Sequence, residues 1–249
     1  MTAPSDPART RVILLDIEGT TTPIDFVYET LFPFASARAE EFLAQHGEED
    51  EMRALMDALR DQREADARQN SAVPPWREAD ARERVASAAA YVRWLIERDS
   101  KLTALKSLQG KIWEAGYRSG ELRGAVYSDV APAFARWRAQ GRRIAIFSSG
   151  SILAQKLLFA HSTAGDLTDF IDSYFDTSTG AKREAESYRR IAAAVGVSPT
   201  EVLFISDVTA ELDAAREAGM ATVQSLRPGV LDQGTPTHPG ILTFDDVFP

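Results

Sequence analysis

Cysteine is absent from the 249-residue chain, which excludes disulfides, thiolate nucleophiles and zinc–cysteine sites. Histidine is nearly so. His46, His161 and His238 are scattered without metal-ligand spacing, so no imidazole is assigned to catalysis, and His161, near a helix end, suits an interaction with the last helical carbonyls. No apolar run approaches the roughly 18 residues a bilayer span requires. The opening MTAPSDPARTR also lacks the apolar core of a secretory signal. The default expectation is therefore a cytoplasmic protein. Positive charge is in deficit, with a formal net charge of −9, which argues against a broad nucleic-acid or anionic-membrane footprint. A small anionic molecule remains admissible, because a local site can reverse the sign of the global field. Lysine is scarce, five against twenty-three arginines, so the lysines are not simply filling solvated positions.

The chain is 44% hydrophobic and 26% charged, enough apolar material for a sizeable core. Val12-Ile13-Leu14-Leu15 is a continuous aliphatic run ending on Asp16, the pattern of a strand buried on both faces. Arg143–Ser148 and Val202–Asp207 repeat the form, and weaker strands are expected at Ser173–Asp176 and Ala221–Gln224. Helical patterns lie between them. Ser128 or Asp129 is placed to cap a helix that carries Pro132 in its first turn and stops near Gly141, while Gly196 and Pro199 separate a helix around Tyr188–Val195 from the next strand. Strands alternating with helices predict a doubly wound parallel α/β sheet.

Residues from about 33 to 119 break that rhythm. They are rich in alanine, arginine and glutamate, with helix-period apolar stripes at Val85, Ala89, Val92 and Ile96 and at Leu102, Leu105, Leu108 and Ile112. Pro74-Pro75 divides the stretch into two helical pairs. The expected organisation is an α/β core of residues 1–24 and 122–249 with an all-helical cap, 25–121, inserted after the first strand. Only the N-terminal tail and Pro228–Gly240 look loop-like.

Ligands of an open parallel sheet bind beyond the carboxyl ends of its strands, where Asp16, Ser148 and Asp207 would project. Asp16 and Glu18, two apart in an extended segment, face the same way. One carboxylate can attack phosphorus while the other protonates the leaving oxygen and then activates water; an acidic turn after a strand is the plainer alternative. Ser148-Ser149-Gly150-Ser151 at a helix start offers hydroxyls and amides to a phosphate, or an ordinary N-cap. Lys182 could neutralise a nucleophilic carboxylate and a transferring phosphoryl group, or be a surface lysine beside Arg183. Asp207 adds hard oxygen to Asp16 for Mg²⁺, and Glu211, one turn on, is given a supporting role.

In this order, Asp16-Ile17-Glu18-Gly19-Thr20, Ser148-Ser149, Lys182 and Asp207 resemble the four motifs of the haloacid dehalogenase-like phosphohydrolases. The resemblance sharpens with Asp16 through Ile24, which carries glutamate where most of those phosphatases have aspartate. Ile112–Tyr117, Val126–Val130, Phe147–Ser162, Glu186-Ser187-Tyr188 and Asp207-Val208-Thr209 extend it. Together these look like the enolase-phosphatase family of methionine salvage, over nearly the whole chain. The resemblance implies Asp16 as nucleophile and metal ligand, Glu18 as acid/base and as a ligand through its carbonyl, Ser148 and Ser149 holding phosphate, Lys182 clamping it, and Asp207 completing a site for one Mg²⁺ per chain. It implies a small phosphorylated methylthio-diketone as substrate, enolised and then dephosphorylated to acireductone. Phe26, Tyr28, Phe32, Trp113 and Tyr117 are candidates for the methylthio pocket, or for plain packing. Dehalogenase chemistry at Asp16, a phosphatase for another small phosphomonoester, a phosphomutase and a non-catalytic scaffold stay open as alternatives. No heptad seam is present, and a monomer without nucleic-acid or membrane partners is expected.

Overall fold

A computed structural model describes residues 8–69, 72–228 and 237–249. The chain forms two compact units, Met1–Phe26 with Arg123–Pro249, and Val27–Leu122. The first is built on a six-stranded parallel sheet: β1 (Val12–Leu15), β2 (Arg143–Phe147), β3 (Ser173–Phe175), β4 (Val202–Ser206), β5 (Ala221–Ser225) and β6 (Gly240–Ile241), in spatial order β3-β2-β1-β4-β5-β6. The doubly wound parallel sheet expected from the apolar runs is therefore observed, with β1 at its centre, Val12 opposite both Arg143 and Val202.

Aliphatic runs make this centre because both of its faces are covered. Val12 and Leu14 look onto one face, where Phe147, Phe204 and residues of the helices α7 (Ala185–Ala194) and α8 (Thr209–Glu217), including Tyr188, Ile191 and Leu212, close the core. Ile13, Leu15, Ile144 and Ile146 alternate with them and are equally buried. Helix α5 (Val130–Ala139) packs on β2, and α6 (Ile152–Ala160) on β3.

The second unit is helical, as its composition predicts. A π-helical turn, Phe26–Leu31, leads into α1 (Phe32–His46), followed by α2 (Asp50–Ala67), α3 (Ala81–Ile96) and α4 (Thr103–Ser119). Both prolines fall between the helical pairs. Asp80 caps α3 by accepting from Glu83 N–H, and the Trp113 indole donates to Leu31 O at 2.8 Å. No helix among the described residues is long and apolar enough to cross a membrane.

Two expectations need correction. Asp129 precedes α5 but its side chain makes no cap hydrogen bond. A carboxylate follows the strongest donors within reach, and here these are Arg227 and the Phe244 N–H, so Asp129 serves a long-range junction. Gly240, placed in a loop, begins β6; a two-residue strand carries too little periodicity to be read. The remainder of the expected Pro228–Gly240 loop, at 229–236, and most of the N-terminal tail, at 1–7, lie outside the described residues.

Leu14 stands fully buried between Ala145 and Phe204 on the neighbouring strands. Leu14→Ala is expected to cost about 3 kcal/mol, read as a lower urea midpoint at unchanged slope.

Candidate active site

Asp16 leaves β1 at the switch point, where the chain has gone to β2 on one side and later returns to β4 on the other. It is buried. Its Oδ1 accepts from Ile17 N–H at 2.8 Å and meets Lys182 Nζ at 2.7 Å. Ser206 Oγ, at the end of β4, lies 3.2 Å from both Asp16 Oδ2 and Glu211 Oε2, and its single hydrogen serves one of them at a time. Glu211 Oε2 is itself 2.7 Å from Lys182 Nζ. One ammonium is thus shared by two carboxylates, brought from β1, the loop before α7 and the first turn of α8.

The chain after Asp16 turns tightly. The amides of Thr20, Thr21 and Thr22 all donate to Ile17 O, and Gly19 N–H donates to Thr22 O at 2.9 Å. Gly19 has φ of +68°, and a Cβ there would stand 2.4 Å from Asp207 Oδ2. Glycine is required on both counts. Glu18 is half-buried in this turn, and its charge is close enough to Asp207 to oppose ionisation there. Because the Gly19 N–H is committed to Thr22 O, the trans peptide directs the Glu18 carbonyl the opposite way.

Ser148 follows β2 and is buried; its Oγ accepts from Gly150 N–H at 3.1 Å. Ser149 lies half-buried in the same turn. The N-cap of α6 is Ser151, which accepts from Ala154 N–H, so Ser148 and Ser149 stand outside the helix and the capping alternative falls to a different serine. Gln155, on α6, donates to both Gly150 O and Phe175 O at 2.8 Å and holds this turn to β3. Sequence reasoning missed Ser206, Gln155, Ser225 and Arg227 as site-supporting residues. For Ser206 the signal was available, a hydroxyl at a strand end beside an expected ligand. The three histidines have other roles: His46 pairs with Glu49, His238 lies between Thr222 and Asp213, and His161 N–H closes α6 on Leu157 O. Of the five aromatic residues considered for an apolar pocket, Trp113 and Tyr117 are buried within the helical unit, Tyr28 and Phe32 meet edge to face at 5.4 Å, and Phe26 belongs to the α/β unit.

The electrostatics follow from crowding. Burial and the Asp16 charge push the Asp207 carboxyl up to about 7, against the pull of Lys182. Burial and Asp16 likewise raise Glu211, which Lys182 opposes. Burial alone would lower Lys182, but Asp16 and Glu211 outweigh it and keep the ammonium charged. Asp207 Oδ1 is buried with no hydrogen-bond partner among the described residues. An unpartnered carboxylate oxygen beside Asp16 fits a hard cation. Among the described residues no three acidic or imidazole groups converge as a ready-made cage; the expected set, two carboxylates and one main-chain carbonyl, does not need one.

A family model of haloacid dehalogenase-like hydrolases matches residues 10–219. An enolase-phosphatase E1 of Synechococcus elongatus is 53% identical over 90% of this chain and 91% of its own length. The Danio rerio enolase-phosphatase E1 is 46% identical over 93% and 91%. A crystal structure of the UTR4 protein of Saccharomyces cerevisiae superimposes with a TM-score of 0.75 at 32% identity, covering 95% of this chain and 99% of that one.

A carboxyl raised in the folded protein opposes folding as it ionises. Through Asp207, and in the same sense through Glu211, the stability of the cation-free protein should therefore fall as pH rises from the ordinary carboxylate range through neutrality. Mg²⁺, which competes with the proton, should protect increasingly over the same interval. Urea titrations from pH 5 to 8 with and without Mg²⁺ check this, and Asp207→Asn should flatten the slope and remove the protection.

Proposed function

The chain belongs to the haloacid dehalogenase-like hydrolases and, among them, to the enolase-phosphatases, and from that premise we propose that it converts 2,3-diketo-5-methylthiopentyl-1-phosphate to its enol phosphate and then to acireductone and phosphate. The observation that carries the chemistry is the Asp16 carboxylate, buried at the end of β1 and held at 2.7 Å from the Lys182 ammonium. A carboxylate so oriented is poised toward an electrophile rather than toward water.

In the phosphatase half, an Asp16 oxygen attacks phosphorus, the ester P–O bond breaks, and the leaving enol oxygen takes a proton from Glu18. Glu18, now a carboxylate, removes a proton from water, which attacks the aspartyl-phosphate. The P–O bond to Asp16 then breaks, and inorganic phosphate leaves. Ser148 and Ser149, beyond β2, hold the phosphoryl oxygens, and Lys182 offsets the charge that develops between them and Asp16. Asp16, Asp207 and the Glu18 carbonyl would hold one Mg²⁺, which supplies charge neutralisation at the phosphoryl group and polarisation of the substrate ketone. Glu211, bound to Lys182, keeps that ammonium aimed at Asp16.

The enolase half requires a base near the phosphate-bearing carbon, and Glu18 is the residue we place there. The helical unit, 27–122, acts in this reading as a cap, and the enzyme is a cytoplasmic monomer with a small-molecule substrate.

The decisive measurement is ultraviolet absorbance with the diketone phosphate and Mg²⁺, with phosphate assayed in parallel. Enol absorbance and phosphate should rise together, and phosphate release should be lost in Asp16→Asn or without Mg²⁺. Release from unrelated esters alone, with no enol signal, would refute the substrate. Glu18→Gln should abolish phosphate release; an enol signal that survives it would clear Glu18 as the enolisation base.

A further inference from the structure

The turn from Ile17 to Thr22 fixes its own shape through its internal bonds, but those bonds do not fix where the turn sits. That is done from outside, carbonyl by carbonyl. Gly19 O accepts from Ser225 Oγ at 3.0 Å, Thr20 O from Arg227 Nε at 3.1 Å, and Thr21 O from Tyr127 N–H at 3.0 Å. Ser225 is the last residue of β5 and Arg227 follows two residues on, so an extended chain presents both to one side.

Arg227 is in turn aimed from several directions. Its Nη1 meets Asp129 Oδ2 at 2.7 Å and Leu242 O at 3.3 Å, and its guanidinium lies over the Tyr127 and Phe244 rings, 4.4 and 4.5 Å from their centroids. Asp129 Oδ2 also accepts from Phe244 N–H at 2.6 Å and Thr243 Oγ1 at 3.0 Å. Burial pushes the Asp129 carboxyl up, yet these donors outweigh it and hold the group below the usual carboxylate range. The planar fork of arginine is what allows one side chain to serve Asp129 and Thr20 together.

A buried ion pair contributes little net stability over apolar residues of the same volume, so stability does not account for this arrangement. What the pair secures is placement. We infer that Arg227, backed by Asp129 and flanked by Ser225, is a positioning residue for the phosphatase reaction: it sets the turn that carries Glu18 and follows Asp16 against the phosphate-holding residues on the neighbouring strands. This rests on the proposed phosphatase chemistry at Asp16. None of these three residues touches the reacting atoms. Their effect should therefore appear in turnover and leave phosphate binding, through Ser148 and Lys182, largely alone.

The test combines two readouts on Arg227→Lys and Ser225→Ala. A lysine keeps the charge beside Asp129 but cannot reach Thr20 O at the same time, and the serine variant leaves the ion pair intact. With p-nitrophenyl phosphate and Mg²⁺, kcat should fall about thirtyfold in Arg227→Lys and about threefold in Ser225→Ala, with KM within about twofold, because small misplacements of reacting groups are costly. Amide hydrogen exchange over residues 17–22 should accelerate in both while β1 and β4 stay protected. Unchanged exchange in the turn, or acceleration only in step with β4, would make the cluster merely structural and overturn the inference, as would unchanged kcat per folded molecule. If Arg227→Lys does not fold, Ser225→Ala decides by the same readouts. A wild type inactive on every phosphoester counts against the proposed function instead, and the exchange result still judges the positioning.

Discussion

Everything at the centre of the α/β unit depends on one ammonium shared between two buried carboxylates. Lys182 draws Asp16 and Glu211 to within 2.7 Å of a single nitrogen, and without it the end of β1 would concentrate negative charge in a place from which water is excluded. The arrangement leaves Asp207, next to them, with a carboxyl raised by the Asp16 charge and a buried oxygen that has no hydrogen-bond partner among the described residues. Of the five lysines of the chain, the one at 182 is the cation that these carboxylates share.

The sheet is what brings these groups together. Each of β1, β2 and β4 is a short, largely apolar run with a polar residue at or just beyond its carboxyl end. Parallel alignment then puts Asp16, Ser148 and Ser206-Asp207 at the same edge. The geometry of the candidate site follows from a simple rule applied three times, with the loop before α7 adding Lys182 from outside the sheet.

For that reason the strands and the charged residues at their ends were legible in the sequence: Val12–Leu15 and Val202–Asp207 announce themselves by continuous burial, and the helical insertion by its 3.6-residue stripes. What could not be read has a common physical character. Asp129 looked like an N-cap because capping is a local rule, whereas its actual partners, Arg227 and Phe244, are distant in the chain and compete only once the fold exists. Ser225 and Gln155 act on main-chain carbonyls, and a carbonyl carries no sequence signature. Strand β6 is two residues long and is defined by pairing with β5 rather than by pattern.

The pairing of β1 carries a consequence for how the protein comes into being. The strand that ends at Asp16 precedes both of its partners, which start at Arg143 and Val202 far along the chain. Contacts so distant along the chain form late and slowly. During synthesis, Val12–Leu15 is an apolar segment without a mate until most of the polypeptide has emerged, and the helical unit, whose own partners are local, can fold before it. Asp16, Lys182 and Asp207 come together only once β4 has paired with β1.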